Sequence, residues 1–180
     1  MTGILPIKKY GTHSDLNIFD EYSMLHAHPF TEFMGFTEDE VLDLCQKYER
    51  DFSECKRWYD GYQIEDLKSI YNPRSVNGFI SSGKLRNFWN ETETFEALRF
   101  YLTYKAYDLH DSVIKLLNNE SLKINTGTFG NDMESFLLKD DILTLLVHLG
   151  YLCFDPRNSS VRIPNKEIAT EFEKSIQIGD

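Results

Sequence analysis

Residues 139–165 read KDDILTLLVHLGYLCFDPRNSSVRIPN. Lys139 to Leu149 is apolar nearly all round at helical length, which predicts the most buried helix of the chain. Gly150 closes it. Tyr151–Phe154 and Val161–Ile163 then read as strands around Asp155-Pro156-Arg157-Asn158-Ser159-Ser160, a strong turn composition. Asn165 is the expected cap of a last helix running through Ile176. Helix, hairpin, helix is the outline of a winged-helix-like module.

Upstream, helices prevail. Thr37-Glu38-Asp39-Glu40 is a capping box, and Val41, Leu42, Leu44, Cys45 and Tyr48 follow at helical spacing. Asp51 to Tyr59 predicts a second helix, ended by Asp60-Gly61. Asn72-Pro73 opens a third, with Val76, Phe79 and Ile80 on its apolar face and Gly83 at its end. Glu93–Tyr104 and Asp108–Leu117 read as two more helices and Ser121–Asn125 as a short strand. Thr2–Ile7 and Thr31–Phe36 are the remaining strand candidates, separated by a polar loop. The fold class expected is α+β, mainly helical.

The chain has 180 residues and a mass of 21.1 kDa, enough for one domain or two small ones. With 41% hydrophobic and 27% charged residues it has the composition of a folding chain. No apolar run approaches the ~20 residues of a membrane span, and there is no basic-then-apolar leader. The formal charge of −10 argues against a free-standing nucleic-acid binder. Cys45, Cys55 and Cys153 are odd in number and lack metal-ligand spacing, which suits a reduced, cytoplasmic protein.

Several strings suggest chemistry. Gly78-Phe-Ile-Ser-Ser-Gly83-Lys84 has the spacing of a phosphate loop, but it lies inside a helix and closes it. Leu85 also stands where a Ser or Thr would hold magnesium. Asp60 with Asp66-Leu67-Lys68 is similar to the acidic pair and lysine of a restriction-type nuclease. The residues before Asp66 do not form a clean apolar strand, and no acidic helix precedes them. His26-Ala27-His28 offers two imidazoles with no further ligand close by, and reads as a solvated loop. Lys8, Lys9, Arg157, Arg162 and Lys166 read as scattered, solvated surface. The helix before the expected wing starts Lys139-Asp140-Asp141, and its carboxylates would repel phosphates, so protein packing suits it better than a DNA groove.

The strings TGILPIKKYG at residues 2–11, LNIF at 16–19 and FMGFTE at 33–38 resemble the bacterial AAA-ATPase-like family. So do WYDGY at 58–62, IYNPRSV at 70–76, Asn131-Asp132, residues 139–151 and IPNKEI at 163–168. Members of that family often carry a C-terminal nuclease-like domain of the PD-(D/E)xK superfamily. The resemblance implies a remnant of the ATPase core over residues 1–36, a helical lid over 37–120 and a winged-helix-like module over 121–180. The phosphate loop, the acidic magnesium motif and the nuclease domain are missing from this chain. The resemblance thus implies a fragment, or the product of a shortened gene: a lid and regulatory segment without catalysis of its own. Thr2, on the strand that senses the γ-phosphate in the family, and Arg74, near the start of its helix, are the nucleotide-sensing candidates. The family's ATP and magnesium are expected only for a full-length member; no catalytic residue, metal or cofactor is expected here.

Two rival functions remain from the residues: a metal-dependent, nuclease-related enzyme using Asp60, Asp66 and Lys68, and a protein-interaction module. A segment stripped of its sheet would expose Ile4, Leu5, Ile7, Phe30, Phe33 and Phe36, which predicts a protein partner or self-association through the N-terminal segment. No membrane or nucleic-acid partner is expected for this chain alone.

Overall fold

The computed structural model describes residues 20–89, 109–129 and 138–177. The predicted strand Thr2–Ile7, the helix Glu93–Tyr104, Asn131-Asp132 and the expected exposure of Ile4, Leu5 and Ile7 lie outside them. Within them the protein is α+β and mainly helical: six helices and five short strands in two sheets.

Helix α1 (Glu38–Lys47) begins at the capping box, where Thr37 Oγ1 accepts from Glu40 N and the Glu40 carboxylate accepts from Thr37 N at 2.8 Å. Helix α2 (Phe52–Tyr59) is capped by Asp51, whose Oδ1 accepts from Glu54 N at 3.1 Å. A hairpin follows, β1 (Tyr62–Ile64) against β2 (Leu67–Ile70). Helix α3 (Pro73–Ser82) starts on Asn72, whose Oδ1 accepts from Arg74 N and Ser75 N, and closes at Gly83. The Gly78–Lys84 string therefore belongs to a helix and its end. Val41, Cys55, Tyr59, Tyr71, Val76 and Phe79 bury the shared core of α1, α2 and α3.

The second core belongs to the C-terminal half. Helix α4 (Leu109–Leu117) leads to β3 (Leu122–Lys123); helix α5 (Lys139–His148) leads to β4 (Cys153–Asp155) and β5 (Ser160–Arg162); helix α6 (Lys166–Gln177) ends the described chain. The sheet order is β3-β5-β4, all antiparallel, with Val161 paired to both Leu122 and Phe154. Helix α5, the β4–β5 hairpin and α6 thus follow one another in the order helix, hairpin, helix. Every residue of α5 from Asp141 to His148 is buried, as a helix apolar on all sides requires. Its two N-terminal carboxylates are occupied: Asp140 accepts from Asn125 N and Asp141 from Thr128 Oγ1, each at 2.8 Å.

The two halves meet along a seam. Gln63 N donates to Cys153 Sγ at 3.1 Å, which sets β1 alongside β4. Gly61, at φ 136°, approaches so closely that a Cβ there would lie 1.8 Å from the carbonyl oxygen of Pro164. Arg162 Nη2 donates to Gly61 O at 2.7 Å.

Several sequence expectations are corrected. Thr31–Phe36 is no strand: Thr31–Phe33 forms a 3-10 turn, and only Phe36 reaches a β-bridge, to Tyr71. Phe33 and Met34 are adjacent and cannot share one face of a strand, so the alternation that a half-buried strand needs is missing. Phe36 packs onto the α1–α3 core and is half-buried, while Phe30 and Phe33 are exposed. The hairpin at residues 62–70 occupies a stretch not expected to form a strand. Arg157 and Lys166 are exposed as expected, Arg157 pairing with Asp66 at 2.6 Å and Lys166 lying 4.8 Å over the Trp58 ring, whereas Arg162 is half-buried and engaged by the Gly61 carbonyl.

Candidate functional site

The N-terminal turn of α3 fixes Arg74. Pro73 occupies the first helical position, where its missing N–H costs nothing, and Asn72 satisfies the next two amides at 2.8 and 3.3 Å. Arg74 is exposed, and its Nε donates to Phe88 O at 3.3 Å. This turn borders a cavity of about 190 Å³ that Asn72 and Pro73 line with Met24, Met34, Trp89 and His148.

The cavity is apolar in character. Tyr62 closes one side, its hydroxyl donating to Gly150 O at 2.7 Å. Gly150, at φ 81°, leaves room for Trp89; a Cβ there would stand 2.8 Å from the indole. Burial pushes the His148 imidazole below its ordinary value, so the neutral ring is favoured, and it lies 5.2 Å from the Phe129 ring. A cleft of this chemistry can hold an apolar or aromatic edge. Among the described residues that line it, no nucleophile is paired with a base.

The other sequence candidates are dispersed. Asp60 stands at the open end of the β1–β2 hairpin, where its Oδ2 accepts from Ser69 Oγ at 3.4 Å and burial raises its carboxyl. Asp66 sits at the hairpin turn and is gripped by Arg157 Nε and Nη2 at 3.2 and 2.6 Å. Lys68 is exposed on β2. The structure does not bring Asp60 and Asp66 together. His26 and His28 are exposed on the loop around the buried Ala27. Among the described residues no three His, Cys, Asp or Glu side chains are grouped to hold a metal ion. Thr2 lies outside the described residues.

Sequence reasoning missed a buried polar cluster on α6. Glu167 and Glu171 both turn inward, onto Ser75 of α3 and onto Asn87 and Phe88. The available signal was spacing: 167 and 171 lie one helical turn apart and share the face of Ile168 and Phe172. Carboxylates on an apolar face need partners, and here those partners come from another part of the chain.

No family model matches the chain, and neither a curated protein nor a solved structure matches it.

Proposed function

We propose that the chain is the lid and regulatory segment of a nucleotide-driven ATPase, with no catalysis of its own. In this reading residues 1–36 are a remnant of the ATPase core, 37–120 the lid and 121–180 the winged-helix-like module. The observation that carries it is the placement of Arg74: an exposed side chain in the first, tightly capped turn of a helix whose cap, Asn72, and first residue, Pro73, line an apolar cleft. A guanidinium in that position can grip phosphate oxygens bidentately, and a base edge suits the cleft beside it. Thr2 is the second sensing candidate. A lid of this kind closes over nucleotide bound elsewhere and passes its state on through a hinge. No helix among the described residues is long and apolar enough to cross a membrane, and the reading places the chain in the cytoplasm, where its three free cysteines stay reduced.

The test is reconstitution. A frame just upstream that encodes a phosphate loop should yield an ATPase core that co-purifies with this chain. Its ATP hydrolysis should change severalfold when the chain is added, and Arg74→Ala should abolish that change. Calorimetry of the chain alone with ATP and magnesium should show no binding. Micromolar affinity would mean that a complete nucleotide site lies within these 180 residues and would overturn the lid reading.

A protein-interaction role is favoured by one observation. Tyr22 and Phe30 pack edge to face at 4.8 Å on the surface, and Phe33 nearby in sequence is 81% exposed. Aromatics left in water in this way mark contact surfaces. Light scattering should then report self-association that Phe33→Asp weakens. An unchanged mass would argue against self-association through this patch.

A further inference from the structure

Helix α6 holds the rest of the protein through charge-bearing groups as well as apolar ones. Glu167 is 1% exposed and Glu171 is 0% exposed. Glu167 Oε1 accepts from Phe88 N at 2.7 Å, and Oε2 accepts from Ser75 Oγ at 2.7 Å. The Glu167 carbonyl oxygen accepts from Asn87 Nδ2 at 3.1 Å, and the same amide reaches Glu171 Oε1. One side chain thus ties α6 both to the first turn of α3 and to the extended segment after it. The other face of the Phe88 residue is held by α3 itself, through Arg74 Nε on Phe88 O.

From this closed circuit we infer that Glu167 is a proton-controlled fastener between α6 and the α3–Phe88 pair, tight when its carboxyl is protonated and looser when it is ionised. With a proton taken from bulk water, Oε2–H donates to Ser75 Oγ and Oε1 keeps the bond from Phe88 N. Both buried oxygens are then satisfied without a charge. Ionised, the group still accepts two hydrogen bonds, but a full charge sits in a sealed space beside a second carboxyl group. Burial pushes the Glu167 carboxyl up to about 7; the bonds from Phe88 N and Ser75 Oγ pull it down, and Glu171 pushes it up further.

The groups facing Glu167 leave it as the switching member. Tyr59 at the end of α2 is raised to about 12 by burial, and Tyr62 on β1 is raised well above its ordinary value, so both stay neutral near pH 7. Arg86 lies 4.8 Å over the Phe88 ring, and Arg74 is on α3. On α6 itself, Lys174 Nζ is 3.1 Å from Glu171 Oε1. Raised above its unfolded value, Glu167 favours the joined state fully at low pH, and that contribution is lost as pH rises through about 7.

The experiment is a carbon-13 titration of the glutamate side-chain carboxyls in the full chain, with hydrogen exchange of the Phe88 amide corrected for its intrinsic pH dependence. One carboxyl should titrate near neutral pH and be missing from Glu167→Gln. Protection of the Phe88 amide should fall by up to about tenfold per pH unit between the free glutamate value and that midpoint in the wild type, level off above it, and stay level throughout in Glu167→Gln. Ser75→Ala, which removes a bond that lowers the group, should move the midpoint upward. All glutamates titrating below about pH 5 would overturn the inference, and this result needs no variant to fold. So would Phe88 protection that ignores pH, that changes equally in Glu167→Gln, or a midpoint indifferent to Ser75→Ala.

Discussion

Helices α5 and α6 are both buried, by opposite means. From Ile142 to Val147, α5 presents only apolar side chains and one threonine, whose hydroxyl donates back to Asp140 O at 2.7 Å. Its neighbours in the core are apolar as well, among them Val113, Leu116, Val161 and Phe172. Helix α6 places Ile168 and Phe172 into that same core but turns Glu167 and Glu171 toward α3 and residues 87–88. Apolar contact is non-directional and barely responds to pH. A buried carboxylate is directional and responds to one proton. The contrast assigns permanence to α5 and adjustability to the joint between α6 and α3.

The contrast breaks first if the α5 core proves tolerant. Leu146→Ala empties a fully buried site and should cost about 2–5 kcal/mol in urea unfolding, with both halves losing structure in one transition. A cost below about 1 kcal/mol would mean that the site collapses freely and that α5 is not the stable partner. Gly61→Ala tests the seam. Its positive φ alone should cost about 1–3 kcal/mol, and the clash with Pro164 O adds to that, so the amides of β1 and β4 should lose protection first. Asn72→Ala removes the cap that positions Arg74 and should cost about 1 kcal/mol, with α3 fraying at its first turn while α5 is untouched. Asp66→Asn should change stability least, by about 0–1 kcal/mol, because its pair with Arg157 is exposed. A larger loss would show that the hairpin turn is held by this pair rather than by Glu65.

The sequence made α1, α3 and α5 readable because each carries its own boundary signals: a capping box at Thr37, Asn72-Pro73, and a solid apolar run closed by Gly150. The β1–β2 hairpin was not legible. Its turn is Glu65-Asp66, without the glycine or asparagine that normally marks a tight turn. Glu65 adopts φ 54°, and its Oε1 accepts from Ala27 N and His28 N at 3.0 Å each. Those bonds to residues nearly forty positions earlier help hold the turn, and a local reading cannot see them. The same holds at the site. Arg74 stood out through its local Asn-Pro context, whereas the role of Glu167 depends on Ser75 and Phe88, which only tertiary packing brings near.

Unfolding free energy measured from about pH 5 to about pH 8, for wild type beside Glu167→Gln, tests the central contrast most directly. Other titrating groups, including the raised Asp60 and the lowered His148, remain in both proteins and cancel in the difference. A carboxyl raised from 4.5 to about 7 should cost the wild type about 3 kcal/mol relative to the variant over the full range between those values. The account predicts that the wild type loses stability against Glu167→Gln as pH rises, with the difference levelling off above neutrality. Parallel curves, or a wild type that gains on the variant with rising pH, would contradict it.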